Sequence, residues 1–362
     1  MKHALPAVAL LLAFTAPLSA RTWKQASSGK TIEAELTKVE DGKVHLKLPD
    51  GSTGQVEVKT LSLEDREYLA SLGKPTAAPA LSAADRLRVA TKEAPFVNSL
   101  GLEFVPVPGK EGVWMCRTET RVRDFRVYAR VMDYVQTGGS HVSRVKRNDK
   151  GGYYTPWELD EKASWEKPGF SQSDDHPVTC VSWQEARAMC DWLTKQEKGL
   201  VYRLPTDAEW SAAVGSAGKY PWGNAWPAPE RAGNYTGSEE VRDRPGNRWL
   251  TAYAYDDGSA KTARVGSYTE NLFGFFDLGG NVSEMCEDIY QALMNDADAL
   301  EASPGANKNE KHPDGTPFRV VRGGSWYAAA EIHLRSSSRN GNDPRTRNTN
   351  RGFRLVVVGT DD

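Results

Sequence analysis

From Gly215 onward the sequence loses hydrophobic periodicity, while tryptophan, glycine and proline keep returning. "YPWGNAWP", "GNYTG", "YDDG", "FDLGGNVSE" and "RGGSW" are all turn-forming text. Loops of such length need a source of order other than regular elements, and buried tryptophan and bound metal can supply it. The chain carries 32 glycines, 20 prolines and 11 tryptophans in 362 residues, which favours a compact, turn-rich fold over a helical bundle.

Two helix starts stand out against this background. "VSWQEARAMCDWLTKQEKG" places Ser182 three residues before Glu185, a capping box, and stops at Gly199. Trp183, Ala186, Cys190 and Leu193 fall on one face of that helix as a core stripe. "LPTDAEWSAAVG" repeats the device with Thr206 and Glu209.

Residues 1–20 read as a signal peptide. Lys2 precedes the apolar stretch "LPAVALLLAFTAPL", and Ser19-Ala20 is a small-residue exit. Bracketed by Pro6 and Pro17, the stretch is shorter than the ~20 apolar residues of a membrane span. Export to the periplasm or medium is the expectation, with no membrane span after cleavage. Residues 21–72 read as a small β domain. "TIEAELTKV" points Ile32, Ala34 and Leu36 inward, and Asp41-Gly42 and Asp50-Gly51 turn the chain into "KVHLKL" and "GQVEV". Ser62 is placed to cap a helix over "LEDREYLASL". Residues 73–95 read as a Pro/Ala/Ser-dense linker with an amphipathic turn around Leu87, and a second domain spans 96–360.

The 46 basic and 48 acidic side chains nearly balance, and no nucleic-acid motif is present. Nucleic acid is therefore not an expected partner. Four cysteines, Cys116, Cys180, Cys190 and Cys286, permit two disulfides in an exported chain without choosing among the pairings. They form no C-x-x-C pair, and the histidines lack zinc spacing.

Two loops are rich in oxygen ligands. In "FDLGGNVSE", Asp277 and Glu284 offer carboxylates, and Gly280 and Val282 can offer carbonyls, a donor set suited to calcium. A glycine turn with solvated acids explains the same spacing. Asn234-Tyr235 with Asp256-Asp257-Gly258 is a second such pair. Between 319 and 354 arginine recurs at Arg319, Arg322, Arg335, Arg339, Arg345, Arg347, Arg351 and Arg354. That run fits a framework pairing with carboxylates and carbonyls, with Arg335 or Arg339 as the candidates for an anionic ligand.

"LGLEFVPVPG", "TETRVRDF", "HPVTCVSWQEARAMCDWL", "YRLPTDAEW", "YPWGN", "ARVGSYTENLFGFFDLGGNVSE", "RVVRGGSW" and "NRGFRLV" occur in the order found in formylglycine-generating enzymes, or sulfatase-modifying factors. The chain resembles that family over roughly residues 96 to 359. The resemblance implies an α+β, C-type lectin-like fold with few regular elements and structural calcium. It places one calcium at Asp277, Gly280, Val282 and Glu284, and another at Asn234, Tyr235, Asp257 and Ser259. Residues 21–72 resemble the Sla-type homology domain, which implies a small Src-homology-3-like β-barrel.

Authentic members of the family oxidise a sulfatase cysteine using copper on two cysteines just beyond the Gly-Gly-Ser turn. Thiolate is what selects Cu(I). Here the first position is Ala328, and the region of the second, Ile332-His333, holds no cysteine. Ser325 and Trp326 keep the turn, whereas Ser283 and Met285 replace two tryptophans often found beside the pocket. The expectation is a bacterial-type exported protein with no copper and no formylglycine-forming activity. It would serve as a binding or scaffold module for a peptide, glycan or protein partner, with Ser325, Trp326, Arg335 and Arg339 as pocket candidates. The rival is an oxidoreductase of the same family using different chemistry. The helical iron-binding domain of the related sulfoxide synthases has no counterpart here.

Overall fold

The computed structural model describes residues 12–13, 20–72, 81–149, 153–215, 218–237, 255–291, 311–328 and 331–360. Most of the expected signal peptide lies outside them. The chain divides into two compact units, Met1–Ala80 and Leu81–Asp362.

The first unit is a sheet of β1 (Leu12–Ala13), β2 (Arg21–Lys24), β3 (Thr31–Glu40), β4 (Lys43–Lys47) and β5 (Thr53–Glu57), followed by helix α1 (Leu63–Leu72). Asp41 and Gly42 take positive φ between β3 and β4, as an Asp-Gly hairpin turn requires. Ser62 caps α1, its Oγ accepting from the Asp65 amide at 3.2 Å. Trp23, Ala34, Leu36, Val44, Leu46, Leu61 and Leu69 make the core.

The expected β-barrel does not form. β3 pairs with β4 on one side and with β2 and β1 on the other, β4 pairs with β5, and among the described residues no ladder joins β5 back to β2. The sheet is open and is not curled closed. The reason is local to β5: only Gly54 and Val56 turn inward, neither is buried, and so the strand brings little apolar surface to a closing seam. Ile32, read as pointing inward with Ala34 and Leu36, lies 40% exposed although those two are buried.

The second unit is α+β. Its main sheet is an open half-barrel. It runs in the order β13 (Leu200–Arg203), β18 (Val356–Gly359), β8 (Trp114–Cys116), β7 (Glu103–Pro106), β6 (Phe96–Val97). Both faces are buried, and alternate residues enter different cores. Phe104, Cys116, Leu355 and Val357 face α3 (Val122–Val131) and α4 (Trp183–Gln196). Val105, Met115 and Val356 face α5 (Asp207–Val214), with Trp210, Ala213 and Phe275. Helix α2 (Ala83–Arg88) sits within the segment read as linker, and its Leu87 is fully buried in the first of these cores.

A second sheet carries the loops of interest: β16 (Arg339–Asn342), β15 (Arg319–Arg322), β14 (Ser283–Ile289) and β17 (Arg351–Gly352), the last parallel to β14. Two small ribbons, β9 (Ser140–Ser143) with β12 (Trp157–Asp160) and β10 (Lys146–Arg147) with β11 (Tyr153–Tyr154), complete the pairing. Both capping boxes form in full, at Ser182/Glu185 and Thr206/Glu209. The stripe on α4 buries Ala186, Cys190 and Leu193 and extends to Met189 and Trp192. All four cysteines are buried and unpaired.

Candidate functional site

The Gly-Gly-Ser-Trp turn leaves β15 and is packed in place from every side. The Ser325 hydroxyl accepts from the Asn350 amide and from the Tyr327 backbone N–H, each at 3.3 Å. Trp326 is 2% exposed, and its indole N–H donates to the Thr349 carbonyl at 3.1 Å. The Lys261 ammonium lies 4.3 Å above its ring. Ser325 and Trp326 thus face the interior. Ala328 is buried in an apolar cluster with Tyr220, Tyr235, Tyr255 and Leu334. That cluster contains no cysteine, because each of the four belongs to one of the two sheet cores. Burial pushes the Cys116 and Cys180 thiols up to about 11, and Cys190 and Cys286 further still. All four are protonated near neutral pH, the wrong form for a nucleophile or a soft-metal ligand.

The two oxygen-rich loops are clasped together. The Asn281 amide donates to the Asn234 carbonyl at 2.6 Å, and the Asn234 side chain reaches the Asn281 side-chain oxygen at 3.3 Å. A Cβ at Gly280 would stand 2.2 Å from that same Asn234 carbonyl, so only glycine allows the approach. Asp257 gathers the first group by accepting from the Tyr235 and Ser259 amides at 3.0 and 2.9 Å. In the second group, Asp277 accepts from Gly266 N–H at 2.7 Å, and Glu284 accepts from the Trp210 indole at 3.0 Å. Glu119, in "TETRVRDF", is a residue that sequence reasoning missed. It is fully buried and ties the second loop by accepting from Asn281 and Val282 at 2.8 and 3.1 Å.

Three carboxylates therefore crowd this interior. Burial, with the charges of Asp277 and Glu284 nearby, raises the Glu119 pKa well above the usual carboxylate range. Burial likewise pushes Asp277 up to about 6. The Asn234 Oδ1 and Asp277 Oδ1 atoms are buried without a hydrogen-bond partner. Each loop thus leaves one buried oxygen without a donor. Among the described residues, no group of three or more His, Cys, Asp or Glu side chains is placed to hold a metal ion. Any cation here must draw on amide and backbone oxygens as well.

The arginines form the framework. Arg354 grips Glu284 with two 2.7 Å bonds and caps the carbonyls of Cys116, Arg117 and Phe276. Arg322 pairs with Asp207 and caps the carbonyls of Ser336 and Ser338. Of the two residues considered for an anionic ligand, Arg339 holds Asp207 at 2.9 Å and Arg335 approaches Glu331 at 3.6 Å.

These features define a class: an α+β domain with a loop-built centre clamped by arginine, whose Gly-Gly-Ser-Trp turn carries no thiol. The chain belongs to the sulfatase-modifying factor family. The Sulfatase-modifying factor enzyme 1-like domain matches residues 109–358, and the SLA1 homology domain 1 matches residues 13–75. The chain is 29% identical to the Inactive C-alpha-formylglycine-generating enzyme 2 of Bos taurus over 72% of its length and 77% of the relative's. It is 32% identical to the Formylglycine-generating enzyme of Thermomonospora curvata over 53% of its own length and 59% of the relative's. Among solved structures it is similar to PvdO from Pseudomonas aeruginosa, at a TM-score of 0.44 and 20% identity over 68% of this chain and 80% of that one.

Proposed function

We propose that this protein is a non-catalytic member of its family, acting as a binding or scaffold module for a peptide, glycan or protein partner. The observation that carries this reading is Ala328, buried among tyrosines and Leu334 where the resembling enzymes place a copper-binding cysteine. The chain's own thiols are protonated and lie in the sheet cores, so the reaction has no sulfur donor. The inactive relative in cattle, named as such, supports the same reading. The test is incubation of the full chain with a Cys-x-Pro-x-Arg peptide, with and without added copper. No aldehyde is expected under conditions where an authentic enzyme converts the peptide. Copper-dependent aldehyde formation would move the protein to the oxidoreductase reading.

Calcium belongs to this proposal as a structural ion. Asn234, Tyr235, Asp257 and Ser259 would hold one ion, and Asp277, Gly280, Val282 and Glu284 another, with the orphaned Asn234 Oδ1 and Asp277 Oδ1 as the support. When bound, the ion supplies charge and coordination to loops that have few backbone ladders of their own.

Export is also proposed, from Lys2, the apolar stretch that follows it and the Ser19-Ala20 exit. No helix among the described residues is long and apolar enough to cross a membrane. Mass spectrometry of the exported protein should find a start at or near Arg21, and an intact Met1 form in the host cytoplasm would argue against export.

A further inference from the structure

Seven of the eight arginines between 319 and 354 engage the protein itself. Arg319 donates to the Glu287 carbonyl, and Arg322, Arg335, Arg339, Arg345, Arg347 and Arg354 each meet a carboxylate. Arg351 is the exception. Its side chain has no hydrogen bond or ion pair among the described residues, and its Nη1 is buried without a partner. Burial draws its pKa down to about 10, which still leaves it charged at neutral pH. A guanidinium in this position is a cation waiting for an anion, because a buried charge without a counter-charge is costly. The residue as a whole is half-buried, which leaves an approach from solvent.

The surroundings narrow the anion. Arg351 on β17 stands opposite Ser283 on parallel β14, so the two side chains share one face of the sheet. Ser283 Oγ lies 3.2 Å from the carbonyl oxygens of Gly323 and Gly324 in the Gly-Gly-Ser-Trp turn. Asn350, the preceding residue, donates to Ser325 of the same turn. Ser283, which stands opposite Arg351, and Asn350, which precedes it, are both uncharged. One cation among neutral groups matches a monoanion, whereas a dianion would bring a second, unbalanced charge.

We infer that Arg351 anchors a site for a monocarboxylate, held by the two-pronged geometry that guanidinium and carboxylate share. This deepens the binding-module reading and rests on it only in that the ligand is held and not transformed. The carboxylate comes either from a small free acid or from the C-terminus of a peptide.

The test is a thermal titration of the full chain with sodium acetate, N-acetylglycine and sodium sulfate at constant ionic strength, using chloride as the reference. Wild type should show a saturable rise in melting temperature with acetate or N-acetylglycine, and Arg351→Gln should show none. A stronger response to N-acetylglycine than to acetate assigns a peptide terminus, and an equal response assigns a free acid. Should Arg351→Gln not fold, Arg351→Lys replaces it, keeping the charge but losing the fork, and its response should be several-fold weaker. The Arg351 Nε–H resonance of wild type should also move with added carboxylate. Equal responses in wild type and variant, no carboxylate-specific rise, or a preference for sulfate would each overturn the assignment. No thiol substrate is present, so failure here leaves the non-catalytic reading standing, and aldehyde formation in the peptide assay would leave this titration untouched.

Discussion

The guanidinium of Arg354 and the carboxylate of Glu284 meet in a two-pronged ion pair at 2.7 Å, with side chains 0% and 1% exposed. The pair joins the Asp277–Glu284 loop to the C-terminal strand region, and Arg354 also caps the carbonyls of Cys116, Arg117 and Phe276. Its value therefore lies less in net attraction than in leaving nothing charged and alone in the interior.

Breaking the pair from one side should be severe. Arg354→Met strands the Glu284 carboxylate and three carbonyls, and a loss of about 3–5 kcal/mol is expected. Adding Glu284→Leu should recover part of that loss, since the stranded charge goes with it. Urea denaturation of the single and double variants measures both. A single variant within about 1 kcal/mol of wild type would contradict the role given to this pair.

A second pair sets an acid limit. Glu185 accepts from Arg347, from Tyr134 and from the Ser182 amide. Burial pushes its pKa up, but the Arg347, Tyr134 and Ser182 bonds outweigh burial and the net shift is downward from 4.5. A depressed folded-state pKa gives stability that is present above the unfolded value and is lost as pH falls through the folded value. Glu185→Gln should be less stable than wild type near neutral pH, and the gap should narrow below about pH 4.5. Urea midpoints across that range check the sign, and a gap that widens in acid would refute it.

Calcium should appear in a melting experiment. If the ion satisfies the orphaned oxygens of Asn234 and Asp277, its binding free energy adds to folding stability by linkage. Chelator-treated and calcium-loaded protein should melt several degrees apart, and Asp277→Asn should shrink the difference. Superimposable curves, with no calcium by elemental analysis, would remove the ion from the proposal.

Local rules made the helices legible. Ser182 with Glu185 and Thr206 with Glu209 are complete within four residues, and both boxes form. The Asp-Gly hairpin after β3 is equally local. Barrel closure was not legible, because it depends on an edge-to-edge pairing that no single strand encodes, and the apolar alternation of β3 reads the same in an open sheet. The arginine framework was legible as a class but not in its partners: Arg322 finds Asp207 across 115 positions and Arg354 finds Glu284 across 70. Nothing local to "TETRVRDF" marks Glu119 as buried, and the isolation of Arg351 shows only once the seven other arginines have found their partners.

The last prediction concerns restoring catalysis. Ala328 sits against Leu334 and three tyrosines, where a cysteine adds a single sulfur to an apolar site, so Ala328→Cys should fold. It should nevertheless remain inactive. Cu(I) is selected by soft sulfur donors, and one thiolate leaves the pair half built. The remaining cysteines cannot supply the second, since all four are buried in the sheet cores with raised pKa values. Competition with a chromophoric Cu(I) chelator should therefore show no tighter copper binding by Ala328→Cys than by wild type. Hydrazide labelling of the substrate peptide should show no aldehyde from either protein. Copper-dependent loss of the peptide thiol with wild type or with Ala328→Cys alone would show that this chain performs the oxidation by a route that does not need the missing sulfurs.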